Sequence, residues 1–233
     1  MGFERSSFIP NAEEQSGIAL EKELFGGINL SRYQELATDA LVTEKLKAQG
    51  KSLTVEDIKK RNKEMYDDLK KGANLEYLRN THNPILSKDE MFDIIKRSQV
   101  NQAPRPFIAD MKKAFAERVG VEDEAVNFYS ALGTNADYCG VDGIFSINIQ
   151  GYNFDIAVDL TKKSEDEKNL DIHNKINRGG KYFGDVILSF SNHDDDYSRE
   201  RDADLLPGFA EQLFEHLKFL VNKHNEQFAQ QNN

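Results

Sequence analysis

The stretch that decides the fold is GTNADYCGVDGIFSINIQGYNFDIAVDLTKK, Gly133 to Lys163. Read with the two-residue period of a strand, it is a β-hairpin with two unlike faces. A turn at Gln150-Gly151, or a four-residue loop from Ile149 to Tyr152, sets Ile149 against Tyr152 and fixes the register below it. One face then carries Val141, Gly143, Phe145, Ile147 and Ile149 with Tyr152, Phe154, Ile156, Val158 and Leu160. The other carries Asp142, Ile144, Ser146 and Asn148 against Asn153, Asp155, Ala157 and Asp159. Asp142 and Asp159 stand opposite one another, and opposed side chains on antiparallel strands sit about 5 Å apart. Like charges there repel. The pair is either the wet face of a one-sided sheet or half of a site that a cation completes.

Composition narrows the field. A chain of 233 residues can bury a sizeable core as one large domain or two small ones. With 39% hydrophobic and 30% charged residues it reads as a folded, rather polar protein. A net charge of -10 argues against indiscriminate wrapping of nucleic acid, though not against binding at a local patch. The single cysteine, Cys139, rules out an internal disulfide and fits a reducing, cytoplasmic compartment. Between Tyr138 and Gly140 it reads as a small packed residue. No apolar run approaches membrane-spanning length, and Met1–Gln15 has no signal-peptide core, so neither a membrane nor export is expected.

Outward from the hairpin, the N-terminal side is mostly helical. Residues 1 to about 30 read as an irregular arm. A helix follows from Leu30 to about Gln49, with Leu36, Ala37, Leu41, Leu46 and Ala48 as its apolar positions. Thr54 caps a helix that Gly72 stops, with Val55, Ile58, Met65, Tyr66 and Leu69 on one stripe. Lys59, Lys60, Lys63, Lys70 and Lys71 fall on an adjacent arc, a candidate track for a phosphate backbone or the solvated side of an ordinary helix. Ser87 and Glu90 form a capping box, Pro106 opens a helix through Val119, and Glu122–Leu132 reads as a short helix ended by Gly133. The break at Gln102–Pro106 divides a mostly helical region, 1–103, from an α/β core, 104–233.

On the C-terminal side, Ser164 and Glu167 cap a helix through Leu170, Ile172 and Ile176 that stops at Gly179-Gly180. YFGDVILSFS then reads as a strand buried on both faces. Strand, helix and buried strand make a βαβ unit, and hence a parallel pairing beside the hairpin. A last helix carries Phe209, Leu213, Phe214, Leu217, Leu220 and Val221. The fold class is therefore α/β, a mixed sheet with a central β-hairpin and a βαβ unit flanked by helices, preceded by a mostly helical region. His193–Asp204 lacks the spacing of a calcium loop and reads as a solvated acidic loop.

Gly140-Val141-Asp142-Gly143, followed by Asp155-Ile156-Ala157-Val158-Asp159-Leu160-Thr161-Lys162-Lys163, resembles the PD-(D/E)XK nuclease superfamily, the restriction-endonuclease-like fold. The resemblance covers about residues 120 to 221. It implies a metal-dependent nuclease in which Asp142, Asp159 and the carbonyl of Leu160 hold Mg²⁺ or Mn²⁺, with a lysine beside the attacking water. The family's lysine position is Thr161 here. Lys163 is on the Asp159 face and is the expected catalytic lysine; a bulge re-aiming Lys162 is the alternative. Asp137 is a turn former or an additional ligand, Glu122 or Glu124 a ligand from the preceding helix, and Asp155 lies one pair from the site. The implied partner is nucleic acid, DNA ahead of RNA, with a homodimer where both strands of a duplex are cut. Two other readings stay open: a nuclease-like fold that binds nucleic acid or protein without cutting, and a helical adaptor whose first hundred residues do the work.

Overall fold

The computed structural model describes residues 12–50, 54–79, 84–100, 103–191 and 197–231. Among them the hairpin is the centre of a four-stranded mixed sheet of order β1-β2-β3-β4, with β1 at Val126–Ser130, β2 at Gly143–Ile149, β3 at Tyr152–Thr161 and β4 at Val186–Ser189. The expected register holds, from Ile149 opposite Tyr152 to Gly143 opposite Val158. Gln150 (φ 53°) and Gly151 (φ 87°) are both left-handed, the conformation of a tight two-residue turn whose twist matches that of the strands. β3 and β4 run parallel, joined by α7 (Glu165–Asn177), so the βαβ unit is present.

Helices cover both faces. Against Phe145, Ile147, Ile156, Val158 and Leu160 pack α1 (Ala12–Phe25), α6 (Pro106–Val119) and α8 (Leu205–Gln231), the last through Phe209, Leu213 and Leu217. Ile144 and Ala157 belong to a second cluster with α2 (Leu30–Ala48), α3 (Val55–Arg61), α4 (Lys63–Arg79) and α5 (Lys88–Arg97), in which α3 and α4 pack on α2. Neither face is wet. Val141 departs from the expected side: it precedes β2, follows left-handed Gly140 (φ 77°), and joins the Ile144 cluster. Both clusters draw residues from either side of the 103/104 boundary.

Other expectations are corrected. Residues 12–25 form α1, not an irregular arm, while residues 1–11 lie outside the described residues, as do Gln102 at the expected break and residues 193–196 of the acidic loop. Of that loop, Asp202 is buried and accepts the Ser198 N–H (2.8 Å). The single helix from Thr54 to Gly72 is two, because Asn62 (φ -152°) breaks it and its side chain accepts the Met65 N–H (3.0 Å); α4 then runs on past Gly72. Glu122–Leu132 is a short 3₁₀ turn and strand β1, since Val126, Phe128 and Ser130 find partners along β2 that no local signal announces. Ala48 is exposed. α7 buries none of its residues: Leu170 and Ile176 are largely exposed. The last strand is shorter than YFGDVILSFS, and residues 182–185 only lead into it.

The outer edge of β1 is clasped by a side chain. The Gln99 amide accepts the Ser130 N–H (3.1 Å) and donates to the Ser130 carbonyl (3.0 Å), a ladder rung made without a strand. No helix among the described residues is long and apolar enough to cross a membrane.

Candidate active site

Asp142 is positioned by main chain on both sides. Its N–H donates to the Val158 carbonyl (2.9 Å) and its carbonyl accepts the Ala131 N–H (2.8 Å), which extends the ladder one residue below β2. Its Oδ2 accepts the Leu160 N–H (2.6 Å), and its side chain is buried. Asp159 of β3 is buried beside it, at 2% exposure. Both line a cavity of about 200 Å³ together with Glu21 of α1, Asp137, Lys168 of α7 and Tyr182. Leu160 also lines it through its main chain, while its side chain enters the core on the opposite face.

Of the two lysines that line the cavity, Lys168 and Lys175, Lys168 is the one that meets an acid of the pair. Its ammonium lies 2.8 Å from Asp159 Oδ1, with 23% of the side chain exposed. The Ser164–Glu167 capping box explains how it arrives there: only three residues separate the end of β3 from the start of α7, so its first turn folds back over the end of the strand. Lys163, by contrast, pairs with Asp171 (2.6 Å) with about half its side chain exposed. The lysine arc divides between α3 and α4. Lys59 is held by Asp39 (2.8 Å), Lys71 lies near Asp68 (3.6 Å), Lys70 rests over the Tyr66 ring, and Lys60 and Lys63 are exposed. Asp155 pairs with Lys96 (2.5 Å), and Glu122 and Glu124 are exposed; none of these three lines the cavity.

Five carboxyl groups against the two ammonium groups of Lys168 and Lys175 leave the cavity short of positive charge. Burial, then the charges of Asp159, Glu21 and Asp137, push the Asp142 carboxyl well above the usual carboxylate range, against the Leu160 N–H. Burial followed by Asp137 and Asp159 lifts Glu21 to about 8. Asp137 is raised by burial too, although it accepts the Gly133 N–H (2.5 Å). Burial works against the charge on Lys168, but Asp159 together with Asp142 and Glu21 outweighs it and the net shift is upward. Tyr182 is raised by burial and then by Asp159. Two buried atoms here, Asp159 Oδ2 and the Tyr182 hydroxyl, complete no hydrogen bond of good geometry among the described residues, although the hydroxyl lies close to the Asp159 carboxylate.

An orphaned carboxylate oxygen amid excess negative charge, with hard oxygen donors around it, suits a divalent cation of the Mg²⁺ or Mn²⁺ type. Asp142 and Asp159 are the residues able to hold one. Among the described residues no three His, Cys, Asp or Glu side chains converge as a ready-made metal cluster, so water or substrate oxygens would complete the shell. Backbone shape keeps the space open. At Gly140 a methyl group would overlap the Tyr182 ring and lie 2.9 Å from Asp159 Oδ2, and at Gly184 it would overlap the Tyr182 hydroxyl. Gly140→Ala should therefore destabilise the chain by about 2–3 kcal/mol, combining left-handed strain with overpacking. Thermal unfolding checks this, and a wild-type Tm would show that Tyr182 yields without cost.

Glu21 gives the site a pH signature. Its folded value of about 8 exceeds the ordinary 4.5, so between those values the folded chain keeps a proton that the unfolded chain has lost. Glu21 thus costs nothing below about pH 4.5 and erodes stability progressively up to about pH 8. Calorimetry in chelator should show Glu21→Gln losing less Tm than wild type across that window, whereas identical slopes would remove Glu21 as the cause.

Sequence reasoning missed Glu21, Lys168 and Tyr182. The signal for Lys168 was present: the capping box sets the phase of α7, and Lys168, Ile172 and Lys175 recur at i, i+4 and i+7 along the cavity. Glu21 had only the Leu20–Leu24 spacing of α1, and Tyr182 was hidden in an apolar run. Comparison with protein-family models, curated proteins and solved structures finds no match to this chain.

Proposed function

We propose that the chain is a metal-dependent phosphodiesterase that hydrolyses nucleic acid, a nuclease of the PD-(D/E)XK kind. One observation carries the reading: two buried carboxylates from neighbouring strands line one cavity with a lysine on the second and an oxygen of that second carboxylate left without a partner. Asp142 and Asp159, with the Leu160 carbonyl, would hold Mg²⁺ or Mn²⁺, and the ion would supply Lewis acidity toward the phosphate and lower the pKa of a water so that it can give up a proton and attack. The Leu160 N–H fixes the Asp142 carboxylate, and the strands fix both acids before substrate arrives. Lys168 carries a full charge at the cavity wall, where it can donate to a phosphoryl oxygen as negative charge builds. DNA is favoured over RNA as substrate only by the family resemblance.

The test is a panel of single- and double-stranded DNA and RNA, with Mg²⁺, Mn²⁺ or chelator. Cleavage that needs metal and is lost in chelator is the expected result. Purified protein that cuts nothing with either metal ends the reading. A second reading, a nuclease-like fold that binds without cutting, draws on the Lys168–Asp159 ion pair, which already neutralises one ligand. Calorimetric titration with Mn²⁺ separates the two: metal uptake that depends on both aspartates without any cleavage favours the second.

A further inference from the structure

Helix α7 is the one described helix that buries none of its residues, yet a stripe of it faces the cavity. Lys168, Asp171, Ile172 and Lys175 all wall that space, and Asp171 is held by Lys163. Beside the cavity lies a shallow groove of about 540 Å³ lined by Asp171, Asn174, Lys175, Arg178 and Gly180. Lys175 belongs to both walls, so the groove continues the cavity outward. Its ammonium donates to the Tyr138 carbonyl, and its stem packs where Gly180 leaves room. Neither Lys175 nor Arg178 is in an ion pair among the described residues. A helix C-terminus favours cations for its dipole alone; these two stand apart because they border the groove that leads from the two aspartates.

We infer that α7 is the rail on which a nucleic-acid strand lies, with Lys175 and Arg178 binding the phosphates that flank the one at Lys168. The inference rests on the phosphodiesterase reading of the same cavity and adds its substrate-binding surface. Seven residues of helix set Lys168 and Lys175 roughly 10 Å apart along the axis, so the two ammonium groups reach different phosphates of one strand. The lysines of α3 and α4 make no such path. Lys60 and Lys63 border neither the cavity nor the groove, and the hollow next to them is walled by Glu64 and Asp68.

The experiment is fluorescence anisotropy of the full chain with labelled single- and double-stranded DNA and RNA oligonucleotides, in chelator so that nothing turns over. Lys175→Ala/Arg178→Ala is expected to weaken binding at least tenfold and to reduce the slope of log affinity against log salt by about 1.5 to 2. Arg178→Glu alone, at an exposed position, should weaken it about tenfold without touching the Tyr138 contact. Lys60→Ala/Lys63→Ala should stay within twofold of wild type. Wild-type affinity and salt slope in the α7 variants, loss confined to the Lys60/Lys63 pair, or failure of the wild-type chain to bind any of the four oligonucleotides each overturns the rail. Absence of cleavage with metal removes the nuclease reading instead, and the binding comparison still decides the rail.

Discussion

Lys168→Ala is expected to lower metal-dependent cleavage by about 10²–10³-fold in kcat, with Lys163→Ala remaining within about twofold of wild type. The contrast follows from where the two ammonium groups lie. That of Lys168 sits 2.8 Å from Asp159 in a buried cavity, while that of Lys163 is spent on Asp171 at the surface. A charge held in a poorly solvated space acts on developing phosphate charge far more strongly than one in water. Lys168→Arg should recover part of the loss, since charge is kept but its placement is not. Steady-state kinetics on one oligonucleotide with Mg²⁺ decides the matter, and a large effect at Lys163 with none at Lys168 would return the catalytic role to the strand end.

Asp142→Asn should abolish cleavage, by about 10³-fold or more, and at the same time make the metal-free chain more stable. Asparagine keeps an oxygen to accept the Leu160 N–H but removes one acid from a cavity that also holds Asp159, Glu21 and Asp137. In wild type, Asp142 retains its proton well above the ordinary carboxylate range, so raising the pH draws on stability that the variant does not lose. The gain should be about 1–2 kcal/mol, a Tm increase of roughly 2–8 °C for a chain of this size, and larger at pH 9 than at pH 6. Mn²⁺ should raise the Tm of wild type and leave that of the variant unmoved. Calorimetry with and without chelator measures both, and a variant less stable than wild type would mean that Asp142 is there for the fold.

What could be read in advance from the sequence divides by range. The hairpin register, the turn at Gln150-Gly151 and the capping boxes at Ser87 and Ser164 depend on neighbours a few residues away, and all four are present. β1 was invisible because its backbone finds partners far along the chain, on β2 and at Gln99. The break at Asn62 was written locally, as an N-cap residue inside an otherwise helical pattern, and went unread against the apolar stripe around it. Asp142 and Asp159 were legible because strand parity brings them together. Glu21 and Lys168 come from helices whose approach is set by packing over the sheet, and a pattern of periods carries no such distances.

Gln99 bears on how the chain meets its own copies. An outermost strand with bare amides invites a second molecule to zip alongside it. Here a single glutamine just past α5 occupies both polar groups of Ser130 and closes that end of the border. At that end of β1, a neighbouring copy finds no free rung on which to start pairing.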